Sequence, residues 1–219
     1  DGSPGAPGLP GPAGPGPAGP PGPSGGGGGF TLTPNTPPAD FAALKLTATV
    51  TSVTIASPPV VNFKLATDQG VPVIGFGSTS KSSTATVASY PNLAFLLAKL
   101  VPGPGGTPSK WVNYIVTTVP TTTAAAAPSR PSTDNTGTLV DNKDGSYTYT
   151  FYRDVPGIKA QVDAMTVAAP NNKTDLGDLT YDANATHRLT IQISGNAPGT
   201  GTNTPNGVQV TPGVPLQKP

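Results

Sequence analysis

The sequence predicts an all-β domain, a sandwich or barrel, behind an extended Pro/Gly-rich N-terminal tail. Three observations predict it. The 219-residue chain holds 31 Thr, 29 Pro and 28 Gly, and its 11 acids are all Asp, with no Glu. That composition is short of helix formers and rich in strand and turn residues. Short alternating apolar stretches recur at the spacing of a sandwich, with turn residues between them. No stretch sustains a 3.6-residue apolar repeat, so any helix is expected to be short.

Residues 1–40 read as a collagen-like tail and linker. Glycine recurs every third place from Gly2 to Gly14, slips by one at Gly14-Pro15-Gly16, resumes at Gly19, Gly22 and Gly25, and ends in the run Gly25 to Gly29. A triple helix needs glycine at every third place, and one break disrupts it locally. A single-chain polyproline spacer is therefore preferred over a trimer; residues 3 to 24 would reach about 70 Å at about 3.1 Å per residue. "FTLTPNTPPAD" (30–40) is expected to continue as extended linker.

Residues 41–195 read as the β-sandwich domain. Leu44, Leu46, Ala48 and Val50 alternate, then the parity changes to Val53 and Ile55, which predicts a bulge near Thr51-Ser52 or a break into two strands. Val61, Phe63 and Leu65 form the next strand, and "TDQG" turns the chain toward Val71 and Val73. "LAFLLAKLV" (93–101) is apolar on both faces and reads as a central strand, followed after "PGPGGTPS" by "KWVNYIVTTV" (110–119). The clearest hairpin runs from Thr138 to Tyr152: "DNKDG" turns, with Tyr147, Tyr149 and Phe151 on one face. "IKAQVDA" (158–164) and "HRLTIQIS" (187–194) are read as the closing strands. Residues 196–219 are a Gly/Pro/Asn-rich C-terminal segment, a linker or an added strand, in which Val208 and Val210 alternate.

The chemistry-bearing residues are few. With 12 Lys and Arg against 11 Asp there is no basic stripe to hold a nucleic-acid backbone. Without Cys there are no disulfides, thiolate metal sites or covalent haem attachment. General acid–base and triad chemistry want His, Glu or paired carboxylates, and here one His stands without a nucleophile motif. No enzyme is expected. His187 shares strand parity with Leu189, Ile191 and Ile193, so it starts a core-facing row; the usual role there is a hydrogen-bonded residue at the core rim. Its alternative is a haem contact, or an axial ligand to a haem held by another domain or chain. "DNKDGS" places Val140 where a calcium loop needs its first acid, so it reads as a turn. Asp175, Asp178 and Asp182 are the better calcium candidates, although loop acids mostly face water. Trp111 and Tyr114 have opposite strand parity, which argues against a row of exposed aromatics for carbohydrate.

Four stretches carry a resemblance: "SPPVVNFKLATDQGVPV" (57–73), "LAFLLAKLVPGPGGTPSKWVNYI" (93–115), "DNKDGSYTYTF" (141–151) and "THRLTIQISG" (186–195). Over roughly 38–216 the chain resembles the N-terminal haem-free domain of the OmcA/MtrC family of outer-surface multihaem c-type cytochromes. The second stretch is the most specific. The resemblance implies a Greek-key, Ig-like β-sandwich or split barrel on the outer face of a bacterial envelope. It also implies packing against multihaem domains or subunits that serve extracellular electron transfer. In such proteins haem c belongs to adjoining domains or partner chains, and membrane attachment comes through a lipid anchor upstream. The Pro/Gly lead looks like the segment that follows the lipidated cysteine. The chain lacks CxxCH, so no haem-attaching residue of the family maps onto it. A fragment of a longer haem-bearing protein and a relative that kept only the β domain both fit. The rival reading is a collagen-stalked surface fibre or adhesin that self-assembles through its stalk.

Overall fold

The computed structural model describes residues 29–55, 57–81, 83, 85–116, 130–166, 172–196 and 203–210. Ten strands and two short helices follow one another: β1 (Phe30–Thr31), α1 (Pro38–Ala43), β2 (Leu46–Thr54), β3 (Val60–Thr67), β4 (Val73–Ile74), β5 (Leu93–Val101), β6 (Lys110–Asn113), β7 (Thr138–Asp141), β8 (Ser146–Thr150), α2 (Ile158–Ala164), β9 (His187–Asn196) and β10 (Asn203–Val210). Two four-stranded antiparallel sheets result, ordered β2-β3-β8-β7 and β10-β9-β5-β6, with a parallel pair β1-β4 beside them. The all-β sandwich expectation holds, and neither sheet closes into a barrel among the described residues.

Several local expectations are met. The parity change in β2 is a bulge: Val50 faces Phe63 and Ser52 faces Asn62, leaving Thr51 without a partner in the ladder. β5 lies between β9 and β6, in the interior of its sheet. The 138–152 hairpin forms as read, with Tyr147, Tyr149 and Phe151 buried. In its turn Lys143 and Gly145 take positive φ, and Asp141 and Asp144 accept the amides of Lys143 and Ser146 at 2.8 Å each. Those carboxylates hold the turn.

Three expectations are corrected. Residues 30–40 are not a free linker. Phe30–Thr31 pairs with Val73–Ile74, and Leu32 and Phe41 are buried in the core, so the folded unit starts before residue 41. Pro38 stands at the start of α1, where a missing N–H costs nothing. "IKAQVDA" is a helix, because Ile158 and Val162, four apart, face one small cluster with Val112, Val116, Leu176 and Leu179. The strand predicted over 110–119 ends at Asn113; residues 117–129, like the tail 1–28 and the end 211–219, lie outside the described residues. Val208 and Val210 do fall in an added strand, and β10 pairs with β9 of its own sheet.

The core is an aromatic column between the sheets. Phe63 stacks on Tyr147 at 5.3 Å, Phe95 stacks on Tyr149 at 3.8 Å, and Phe151 meets both Phe95 and Tyr149 edge-on. Such rings bury much apolar area and add specific geometry. Asp134, fully buried, joins the two sheets. Its main chain exchanges two 2.8 Å hydrogen bonds with Phe95 of β5. Its carboxylate accepts the Tyr149 hydroxyl from β8, the Arg153 amide at 3.3 Å and the Arg153 guanidinium at 3.2 Å.

Removing this carboxylate leaves a buried guanidinium without its counter-charge. Asp134→Ala is expected to cost about 3–5 kcal/mol, read as a lower urea midpoint at unchanged slope. Tyr149→Phe, which removes one donor and keeps the ring, is expected to cost about 1–2 kcal/mol.

Candidate functional site

Three buried titratable side chains, Lys99, Tyr114 and His187, collect at one end of the sandwich. Lys99 of β5 faces His187 of β9 in register, and Tyr114 follows β6 on the neighbouring strand. All three point inward because they hold the core-facing parity of β5 and β9, or the bend after Asn113. Lys99, only 4 % exposed, extends its ammonium to Asp178 at 3.1 Å and to the Thr180 carbonyl. Tyr114 and His187 are fully buried, with the phenol oxygen 3.2 Å from His187 Nε2. The Asp182 amide donates to that same oxygen at 3.5 Å. Tyr114 and His187 thus share one buried hydrogen bond, whose direction follows the imidazole tautomer. Nδ1 has no hydrogen-bond partner. Tyr181 closes the cluster at 6.1 Å from Tyr114 and donates to the Ile55 carbonyl at 2.8 Å, reaching the other sheet.

Burial governs the acid–base behaviour. It pushes the Tyr114 phenol up to about 12. It lowers the His187 pKa, with the Ala185 backbone and Asp182 opposing and Lys99 adding to the effect. Asp178 is brought down to about 2, first by the Thr180 hydroxyl and amide and then by Lys99. A neutral imidazole and a neutral phenol remain at neutral pH.

The sequence-derived site residues fare unevenly. His187 is buried deeper than a rim position, and its Nε2 is engaged by Tyr114. Both ring nitrogens lie inside the fold. Asp175, Asp178 and Asp182 are not gathered. Asp178 binds Lys99, Asp182 accepts the Asn184 amide at 2.8 Å, and among the described residues no group of three His, Cys, Asp or Glu can hold a metal ion. The calcium expectation gives way because a lysine already neutralises the central acid. Lys99 was missed, although a Lys at the inward parity of Leu93, Phe95 and Leu97 was the signal. Trp111 and Tyr114 do diverge, one 37 % exposed and the other buried.

Beside the cluster lies an open cleft of about 500 Å³ between the β5–β6 turn and Gly177–Asp178, walled mainly by Val101, Pro102, Pro108 and Val112. No carboxylate other than Asp178 lines it, and Lys110 stands at its wall. Among the described residues no helix is long and apolar enough to cross a membrane.

No protein-family profile and no curated protein matches the chain. Among solved structures it is similar to the outer membrane decahaem cytochrome OmcA, at 22 % identity and a TM-score of 0.45, over 84 % of this chain and 23 % of that one. It is also similar to MtrC from Shewanella baltica OS185, at 23 % identity and a TM-score of 0.43, over 76 % of this chain and 21 % of that one. The chain thus spans less than a quarter of the length of either protein.

His187 is the one histidine, so its titration is isolated from other groups. Its folded pKa is lowered, so an unfolded chain with a pKa near about 6.5 binds a proton that the fold refuses. Stability is expected to be full above about pH 6.5 and to fall as pH drops from there toward about 5. His187→Gln is expected to remove that slope; equal slopes in urea midpoints of the two proteins would contradict the assignment. Tyr114→Phe leaves Nε2 without its phenol partner and is expected to cost about 1–3 kcal/mol.

Proposed function

We infer that this chain is a non-catalytic β-sandwich domain that works beside multihaem electron-transfer domains or subunits at the outer surface of a bacterial envelope. Its task is to position or dock them. The observation that carries the non-catalytic half is the sealing of the cluster. The only His faces Tyr114 inside the core, and among the described residues no Ser or Thr hydroxyl is hydrogen-bonded to it. A general base needs a hydrogen-bonding path to a proton on substrate. Here both the imidazole and the phenol are spent on holding the end of the sandwich together.

Support for the electron-transfer half comes from the sequence. The four stretches that resemble the OmcA/MtrC family fall on β3 and β4, on β5 and β6, on the turn and strand of the β7–β8 hairpin, and on β9. They are the strands of the core. Thioether attachment of haem c requires cysteines, and the chain has none, so redox groups belong to adjoining domains or partners. A lipid anchor upstream and an extracellular position follow from the same reading.

The test is the protein as its source makes it. An absorption spectrum of the native material, purified under non-denaturing conditions, is expected to show a Soret band. The band comes either from the same polypeptide or from a cytochrome that stays with it through size exclusion. Native material that carries no haem and elutes without a cytochrome would sink the reading.

A further inference from the structure

The two sheets present unlike outer faces. On β2-β3-β8-β7 polar residues bonded to each other hold the middle of the outer face, where Asn62 donates to Ser52 at 2.8 Å and accepts from Thr148 at 2.7 Å, and Val140 is exposed on the edge strand. On β5 the outward residues are Ala94, Leu96, Ala98 and Leu100, half-buried and apolar. Opposite Leu100 stands Trp111, 37 % exposed, and opposite Ala98 stands Arg188. The two side chains meet over Ala98, with the guanidinium 4.3 Å from the indole centroid. Arg188 has no ion-pair partner among the described residues, and its Nε has no acceptor. The other outward residues of β6 and β9 are Asn113, Thr190 and Gln192, so this face carries a cation and no acid.

Trp and Arg dominate the residues that carry binding energy at interfaces, above all at the centre of an apolar patch. An uncompensated guanidinium on such a patch fits a carboxylate from outside. We propose that this face docks a different protein surface, apolar at its centre and presenting an Asp or Glu to Arg188. A second copy of this chain is the wrong occupant, because face-to-face pairing offers each Arg188 another cationic face with no carboxylate. The proposal rests on the face alone and does not require the electron-transfer reading.

The experiment places a photoreactive p-benzoylphenylalanine at Leu96, or at Thr148 on the polar sheet, in the full protein within the cells that make it. Cross-linked peptides are then sequenced. Leu96 is expected to give at least about tenfold more product than Thr148, joined to an Asp- or Glu-bearing peptide of another protein or domain. Arg188→Glu is expected to cut that yield about tenfold, and added salt is expected to lower it, while the thermal unfolding midpoint of the free protein is kept. Equal yields from both positions, products within residues 1–219 of the same or a second copy, or indifference to Arg188→Glu would each overturn the proposal. A captured peptide from a haem-free protein supports this docking face and counts against the electron-transfer reading, so the two fail separately.

Discussion

One buried carboxylate fixes how the two sheets meet. Asp134 belongs to one sheet by its backbone, through the paired bonds to Phe95, and to the other by its side chain, through Tyr149 and Arg153. A lone buried charge is costly, and this one is tolerated because every approach to it is a donor. The geometry is consequently demanding. Tyr149 must reach Asp134 with its hydroxyl while its ring lies 3.8 Å from Phe95, so the polar bond and the aromatic stack set one another. Arg153 follows directly on the strand and is held twice, by amide and guanidinium, which steers the chain out of β8 toward α2. The apolar column supplies most of the burial; Asp134 selects the register in which it forms.

The opposite end of the sandwich solves the same problem with a cation. Lys99 continues the inward row of Leu93, Phe95 and Leu97 and therefore must enter the interior. Its long stem runs past Tyr114, whose ring centroid is 5.9 Å from the ammonium, and its head emerges at Asp178, which is half exposed. The loop 177–186 is thereby tied down along its length: Asp178 and the Thr180 carbonyl to Lys99, Tyr181 to Ile55, the Asp182 amide to Tyr114, and the Thr186 carbonyl to the Leu100 amide. The buried Tyr–His pair is a consequence of that closure. Once the loop covers them, the imidazole meets the phenol and the phenol oxygen also takes the Asp182 amide.

Periodicity made the strands legible and left the polar joints hidden. Alternation in β2, β3 and β8 is strict because one face of each is core and the other is solvent, so even the bulge at Thr51 could be read as a change of parity. α2 was misread because seven residues carrying Ile158, Ala160 and Val162 satisfy a period of two as well as a helical i, i+4 pair. The segment 30–43 was misread because prolines looked like a linker, whereas they only delimit a strand pair and start a helix. Asp134 had no local signal at all. Its partners lie 15 and 19 residues away along the chain and act through a tertiary contact. His187 was placed on the correct face by its parity; its partner Tyr114, 73 residues earlier, was not visible from that row.

Strand position alone does not explain why the outer faces differ. β3 and β8 are also interior strands, yet beside Val60 and Ala66 their outward residues are Asn62, Lys64, Ser146, Thr148 and Thr150, so being central does not by itself require an apolar exterior. The apolar exterior of β5 is thus a property of that sheet, not of the sandwich. Nor does it serve β9, whose outward residues Arg188, Thr190 and Gln192 are polar. Ala98 is the telling residue: its small side chain lets Arg188 and Trp111 approach from the two flanking strands and stack across it. A larger residue there would keep them apart, and a polar one would offer the guanidinium a partner of its own. The strand instead holds the cation against the indole, framed by leucines and without an ion-pair partner among the described residues, an arrangement that a carboxylate brought to it would strengthen.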